Sequence, residues 1–565
     1  LIKVVSVEQM RRIEQAADAA GIRYDTMMER AGRATAMRAI ALLKDRQDAR
    51  VTVLVGPGNN GGDGLVAGRI IAQESEAQVR FYLLKERDDA HFTAARDAGL
   101  FIATAENDRD FRVLRNMVAS ADLVVDALFG IGARLPMEGE AAKLLRAVNQ
   151  ALHNDQLPET PEGQTIDPAQ LSISTISPYV LAVDCPSGLN CDTGELDPTA
   201  IHADETMTFI AAKPGLFSFP GAAAVGDLRV ANLGIPEDTA DLKDEARFLV
   251  DANYVYGVLP ERPADANKGT FGKALIIAGS SNYTGAAGLS ALAAYRAGAG
   301  LVTVGAPGPV VGALSGHILE PTWLLLPHDM GALAESAAQL IYEQMEDYTA
   351  LLLGSGWGRE ATTKAMLMRV LDTKSASPQH TTRVIGFGGV SVDVADEEAK
   401  PRELPPLVID ADGLNLLSEI ENWHNLLPPD TILTPHPGEM GRLAKLKTSE
   451  VQADRWGIAS AKAQEWNVIL VLKGAHTLVA EPGGRVAVLP VKTDALATAG
   501  TGDVLAGLIT GLRAAHMSAF DAAVAGAYLH GLAGLLAAKR IGSSRSVIAG
   551  DVLAALLEAF AALGG

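Results

Sequence analysis

The chain has 565 residues, too many for one ordinary core, so at least two domains are expected. Hydrophobic residues make up 48% of it and charged residues 21%, the proportions of a globular chain rather than a disordered or membrane-embedded one. A formal charge of −20, with no Lys/Arg-rich stripe to offset it, excludes nucleic acid as the expected partner but leaves room for anionic small ligands on backbone N–H groups.

Two helical patterns open the chain, at 7–20 and 26–43. Short apolar runs follow at 51–55, 79–84, 123–126, 180–184 and 206–211, most of them ending in a Gly- or Pro-containing turn. Near-continuous apolar strands separated by helical stretches predict a parallel sheet covered on both faces. The polar stretch 155–178 lacks periodicity and reads as a surface insertion. The charged segment 235–245 has no apolar face and places a domain boundary near 240, giving domains 1–240 and 241–565. A second series runs through 274–278, 301–304, 351–353, 407–409, 431–433 and 468–472, with 375–406 as a loop excursion. Runs 477–480 and 485–489 around Glu481-Pro-Gly-Gly484 predict a β-hairpin, and 504–512 predicts an apolar helix. The fold class expected is α/β, with two three-layer domains. The halves share no motif, so internal duplication is not expected.

The first ten residues carry no long apolar run, and the run 552–563 is interrupted by Glu558 and too short to span a bilayer. Cys185 and Cys191 read as reduced thiols, with no His spacing that would make a zinc site. A cytoplasmic protein with no membrane partner is the expectation.

In the first half, Gly56, Gly58 and Gly61 meet the G-x-G-x-x-G dinucleotide spacing between a strand and a helix, which predicts a Rossmann-like domain. The second strand ends in Lys85 rather than in the acidic residue that a dehydrogenase places there. Asn59, Asn60 and Asp63 among the glycines suggest a polar site for a ribose, an amide or a small cation. Asp126 and Asp184 each close a strand, and ligands of open α/β sheets bind beyond the carboxyl ends of strands. Asn60, Asp126, Asp184 and Ser187 are therefore expected to converge.

Gly-Asn-Asn-Gly-Gly-Asp-Gly64, Leu128-Phe-Gly-Ile-Gly132 and Val183-Asp-Cys-Pro-Ser-Gly-Leu-Asn190 resemble the NAD(P)H-hydrate epimerase domain over most of 1–235. The resemblance implies a nucleotide substrate, NADHX or NADPHX, on Asn59, Asn60, Gly61, Gly62 and Asp63. It extends that contact to Gly130, Ile131, Gly132, Ala133, Arg134, Leu135, Pro136 and Asp184, and it implies potassium on Asn60, Asp126 and Ser187. Asp184 is expected to carry the proton of C6 epimerisation.

In the second half, the turn Gly500-Thr501-Gly502-Asp503 runs into the helix expected at 504–512. Successive N–H groups and the helix dipole there would hold phosphate, and a carboxylate at Asp503 reads as a base beside it. His436, between prolines, and Lys473, at a strand end, read as further site residues, and no P-loop motif is present. The turn resembles the ribokinase-like fold. With 267–280, 410–415, 434–439 and 473–477, it resembles the ADP-dependent NAD(P)H-hydrate dehydratase over most of 250–565. That implies ADP, a phosphoryl-donating co-substrate, on Lys473, Gly474, Ala475, His476, Thr477 and Gly502. It implies the hydrated nicotinamide on Ala286, Gly356, His436 and Asp503, with Mg²⁺ at the transferring phosphate. Asn267 stands where that family often has His.

The expected function is repair of hydrated nicotinamide cofactors by a homo-oligomer. The alternative is a vitamin-precursor kinase joined to a non-catalytic nucleotide-binding module.

Overall fold

The computed structural model describes residues 1–153, 178–372 and 403–564, so the excursions expected at 155–178 and 375–406 fall almost wholly outside the described residues. The chain divides into two compact units, Ile2–Leu249 and Val250–Gly565.

The first unit opens on helix Val7–Ala19, whose start is set by a capping box: the Ser6 hydroxyl accepts from Gln9 N, and the Gln9 side chain accepts from Ser6 N. The helix buries Met10, Ile13 and Ala17, a stripe at helical spacing. The seven-stranded sheet runs in the order Phe101–Thr104, Gln78–Leu83, Arg50–Val55, Leu123–Ala127, Tyr179–Val183, Glu205–Phe209, Asp227–Ala231, all parallel. Val51, Val53 and Val55 join one core, with helices Val7–Ala19, Tyr24–Leu42 and Asn59–Glu74. Leu54, Tyr82 and Val124 join a second core, with helices Arg112–Ala119 and Gly139–Leu152. Alternate side chains of one strand thus feed opposite faces, which is why these strands are apolar throughout.

Both edge strands escape the sequence pattern because they are only partly buried and carry a weak apolar signal. The charged stretch near 240 is bound rather than free. Asp241 pairs with Arg12 at 2.8 Å, Glu245 accepts from Gln9 at 2.7 Å, and Arg247–Leu249 pairs antiparallel with Ile2–Lys3. These bonds hold the segment on the first helix, so the division falls after Leu249.

In the second unit the order is Val486–Val488, Leu478–Ala480, Ile469–Leu472, Ile432–Leu433, Leu407–Ile409, Ala350–Leu353, Lys273–Ile277, Leu301–Pro307, Thr322–Leu326. The strands from Ile469–Leu472 onward are parallel, and the expected hairpin closes the other end antiparallel. Helix Thr501–Ala514 lies directly on helix Thr284–Arg296. A Cβ at Gly507 or Gly511 would stand 2.1 Å from Ser290 O or 2.5 Å from Ala294 O, so the small residues serve close helix packing. Helix Ala519–Ile541 has the length and apolarity of a membrane span, but 72% of its apolar window is buried within the protein, as suits a core helix.

In each sheet the order in which the chain adds parallel strands reverses at one place. Arg50–Val55 is flanked by Gln78–Leu83 and Leu123–Ala127, and Lys273–Ile277 by Leu301–Pro307 and Ala350–Leu353. A crevice opens at the carboxyl ends of such strand pairs, and both candidate sites lie there.

Candidate active sites

The loop leaving Arg50–Val55 is shaped by contact. A Cβ at Gly56 would stand 1.7 Å from Leu128 O, and one at Gly61 would stand 2.0 Å from Gly56 O. Gly62 faces Met28, and Gly130 lies against the Asn60 side chain. Arg87, which no motif singles out, donates to Gly56 O at 2.8 Å and to Gly58 O at 2.9 Å, tying the loop down from the next strand's exit.

Beyond the loop is a cavity of about 740 Å³, enough for a nucleotide. Asn59, Asn60, Asp63, Gly130, Ile131, Gly132, Ala133 and Asp184 line it. Gly61 and Gly62 pack behind the wall, and Arg134, Leu135 and Pro136 lie outside the lining.

Asp126 is fully buried and does not line this cavity. Its carboxylate accepts from Ser187 Oγ at 2.6 Å, Ser187 N at 2.8 Å and Leu128 N at 3.3 Å. Burial raises its pKa, and the bonds from Ser187 and Leu128 oppose that rise. Ser187 Oγ in turn accepts from Phe129 N at 3.0 Å, which links the exits of two strands. Asn60 is buried, and neither its amide oxygen nor its amide nitrogen has a hydrogen-bond partner. A buried polar group in that state calls for a ligand.

Asp184 follows its strand in the left-handed conformation, φ 66°. Its Oδ1 accepts from Lys213 Nζ at 2.6 Å and from Thr208 Oγ1 at 3.0 Å. Lys213 and Glu14, both of which line the cavity, carry no motif and are absent from the sequence reading. Burial pushes the Asp63 carboxyl well above its usual range, and Asp184 and Glu14 add to the rise. Glu14 is raised as well, by burial and then by Asp184. Cys185 and Cys191 are buried free thiols.

In the second unit, Gly500 adopts φ 91° and starts helix Thr501–Ala514. Thr501 Oγ1 donates to Leu496 O and Thr498 O, and buried His530 bonds to Thr501 O through Nε2 at 2.9 Å. His530 is a site-supporting residue that the sequence reading missed; it sits in a helix of small apolar residues with no local signal. A Cβ at Gly502 would stand 3.6 Å from Lys473 Nζ and 3.8 Å from Asp410 Oδ2, so the turn faces that ion pair. Asp503, one residue on, is pushed up to about 7 by burial and then by Asp410, with Ser355 and Lys473 opposing.

Lys473 Nζ bonds Asp410 Oδ1 at 2.8 Å and lies 3.8 Å from Glu439 Oε2. Asp410 Oδ1 also accepts from Thr434 Oγ1 at 2.6 Å. His436 caps helix Pro437–Ala444: its Nδ1 accepts from Gly438 N and Glu439 N, which leaves the proton of the neutral ring on Nε2, 3.3 Å from Glu439 Oε1. Burial, then Lys473 and Arg442, lower its pKa to about 4, so the ring is neutral near pH 7. Glu439 is pushed up to about 7, chiefly by burial.

Ala286 and Gly356 meet across the sheet reversal, where a Cβ at Gly356 (φ 66°) would stand 2.6 Å from the Ala286 Cβ. Gly474 has φ 133° beside the Arg455 guanidinium, Ala475 continues the turn, and Thr477 Oγ1 donates to Gly474 O at 2.8 Å. The His476 ring is buried, with Nδ1 3.0 Å from Leu489 O. Arg455, another residue without a motif, donates to Leu472 O and Lys473 O and fixes the turn from below. Asn267 Oδ1 accepts from Gly269 N at 2.9 Å and closes a local turn. Among the described residues, no group of three His, Cys, Asp or Glu side chains is placed to hold a metal ion.

Residues 24–215 match the family described as YjeF-related protein N-terminus, and 274–557 match NAD(P)H-hydrate dehydratase. The bifunctional NAD(P)H-hydrate repair enzyme Nnr of Coxiella burnetii is 34% identical over 96% of this chain and 96% of its own length. That of Moorella thermoacetica is 34% identical over 89% of this chain and 86% of its own. Among solved structures, the ADP/ATP-dependent NAD(P)H-hydrate dehydratase of Bacillus subtilis, co-crystallised with ATP/Mg²⁺, is 28% identical. It covers 56% of this chain and 98% of its own, with a TM-score of 0.45.

Proposed function

The chain belongs to the bifunctional NAD(P)H-hydrate repair enzymes, and we propose that its second unit dehydrates (S)-NAD(P)HX at the expense of ADP while its first interconverts the R and S forms. The observation that carries the reading is Asp503, a half-buried carboxyl at the start of the helix that the Gly500 turn opens, beside the Lys473–Asp410 pair.

Hydroxide is a poor leaving group, and phosphate is a good one. Asp503 takes the proton of the 6-hydroxyl, whose oxygen attacks the β-phosphorus of ADP and releases AMP. The N1 lone pair then expels phosphate from C6, and loss of a C5 proton restores the C5–C6 double bond of NAD(P)H. The N–H groups of Gly500 and Gly502 would serve the transferring phosphoryl group, while that of Thr501 bonds Thr498 O and holds the turn. Lys473, Gly474, Ala475 and Thr477 hold the nucleotide, and His476 supports their turn from inside. Ala286, Gly356 and neutral His436 take the hydrated nicotinamide. Mg²⁺ would be held mainly by substrate phosphates, with Asp410 the carboxylate placed beside them, and it would neutralise phosphate charge.

In the first unit, the unpartnered Asn60 amide with Asp126 and Ser187 suits potassium, which needs only oxygen ligands and would supply a fixed positive charge. Asp184 carries the epimerising proton, and the Asn59–Asp63 and Gly130–Ala133 segments hold the substrate.

Product analysis separates this function from that of a vitamin-precursor kinase. With (S)-NADHX and ADP, the expected products are NADH, AMP and inorganic phosphate in equal amounts. A stable phosphorylated product in place of NADH would support the kinase.

A further inference from the structure

Asp184 is held on one side only. Lys213 Nζ and Thr208 Oγ1 both bond Oδ1, and Lys213 Nζ also bonds Thr208 Oγ1 at 2.7 Å, so three polar groups close a triangle behind the carboxylate. Lys213 is 1% exposed, yet Asp184 lines the cavity. Neither bond uses Oδ2. A lysine buried to this extent is costly unless its charge is matched, so the triangle is a built feature and not a surface accident.

We propose that Lys213 and Thr208 are positioning residues which hold Asp184 as a carboxylate with Oδ2 toward the substrate, and that Asp184 thereby drives epimerisation by reversible ring opening. This rests on the epimerase reading of the first unit. Asp184 accepts the C6 hydroxyl proton, the C6–N1 bond breaks, and C6 becomes an aldehyde carbon. The electron pair passes to N1 and is spread through C2=C3 into the ring's carboxamide. Rotation about C5–C6 presents the other aldehyde face. N1 then reattacks C6, and the oxygen recovers its proton from Asp184. Atoms, charge and electrons are restored, and no other reactant is consumed.

The charged and titratable groups around Asp184 are Lys213, Asp63, Glu14 and the thiols Cys185 and Cys191. Burial opposes the Lys213 charge, and the Asp184 carboxylate more than restores it, raising the ammonium pKa. Asp63 and Glu14 are both raised, and Lys213, bonded to Asp184 Oδ1 at 2.6 Å, is the cation among these groups.

The test uses the full chain and purified (R)-NADHX without ADP, followed by chromatography. Lys213→Met is expected to lower kcat about a hundredfold with KM within about threefold. Loss of the neighbouring cation disfavours the charged form of the base, so the acid limb of the kcat profile is expected to move to higher pH. Lys213→Arg restores part of kcat and returns the limb. Wild-type kcat and pH profile in Lys213→Met, or a loss confined to KM, overturns the proposal. If Lys213→Met does not fold, Thr208→Val decides: a lower kcat with a raised acid limb supports the triangle, and an unchanged profile overturns it. Absence of interconversion by the unmutated chain would instead remove the epimerase reading itself.

Discussion

Asp503→Asn is expected to lower ADP-dependent recovery of NADH from (S)-NADHX by about a thousandfold while leaving nucleotide affinity within about threefold. The asparagine keeps the shape of the side chain but cannot accept the hydroxyl proton. With its pKa at about 7, the wild-type carboxyl takes up a proton as pH falls through that value. The base must be ionised to act, so kcat should fall about tenfold per pH unit below that point and level off above it. The variant should lack this limb. The measurement is NADH absorbance against pH, with ADP binding followed by calorimetry. Full activity in Asp503→Asn would refute the role.

Asp184→Asn should slow interconversion of the NADHX epimers by about a hundredfold or more. Dehydration of the pure S epimer with ADP should be unchanged, because Asp503, His436 and Lys473 belong to the other compact unit. The check is a pair of assays on one preparation, R-to-S conversion without ADP and S-epimer dehydration with it. Interconversion at the wild-type rate would sink the assignment.

Much of the fold could be read in advance because both faces of the central strands are buried, so Leu351–Leu353 is apolar throughout and Val51–Val55 is apolar apart from Thr52. The edges were harder. Phe101–Thr104 and Asp227–Ala231 expose much of their length, and their sequences carry no clear run; Thr322–Leu326 has an apolar run that the sequence reading missed. The sites divide in the same way. Asp126, Ser187, Gly502 and Asp503 stand in glycine- or proline-marked turns at strand ends and helix starts, where local sequence reports geometry.

Residues that act across the fold leave no such mark. Glu14 lies in an amphipathic helix, and Lys213 reaches Asp184 from 29 residues away. Arg455 and His530 support backbone carbonyls from within helices. Lys473 illustrates the limit of reading residue type alone. Its sequence position suggests a phosphate cation, and the fold shows that cation already bonded to Asp410 and facing the Gly502 turn. The glycines of the first loop are similar: their spacing matches the dinucleotide-binding pattern, while Gly56, Gly61 and Gly62 meet Leu128, Gly56 and Met28. Asn60, buried without a partner among them, keeps the binding function.

The most direct measurement incubates the full chain with mixed R and S epimers of NADHX and limiting enzyme, with ADP, with ATP or with neither, and follows both epimers by chromatography. Two-step repair predicts that ADP drives both epimers to zero as NADH, AMP and phosphate appear, and that without nucleotide the R and S forms only equilibrate. Consumption of the S form with the R form left at the rate of its spontaneous epimerisation would contradict the account.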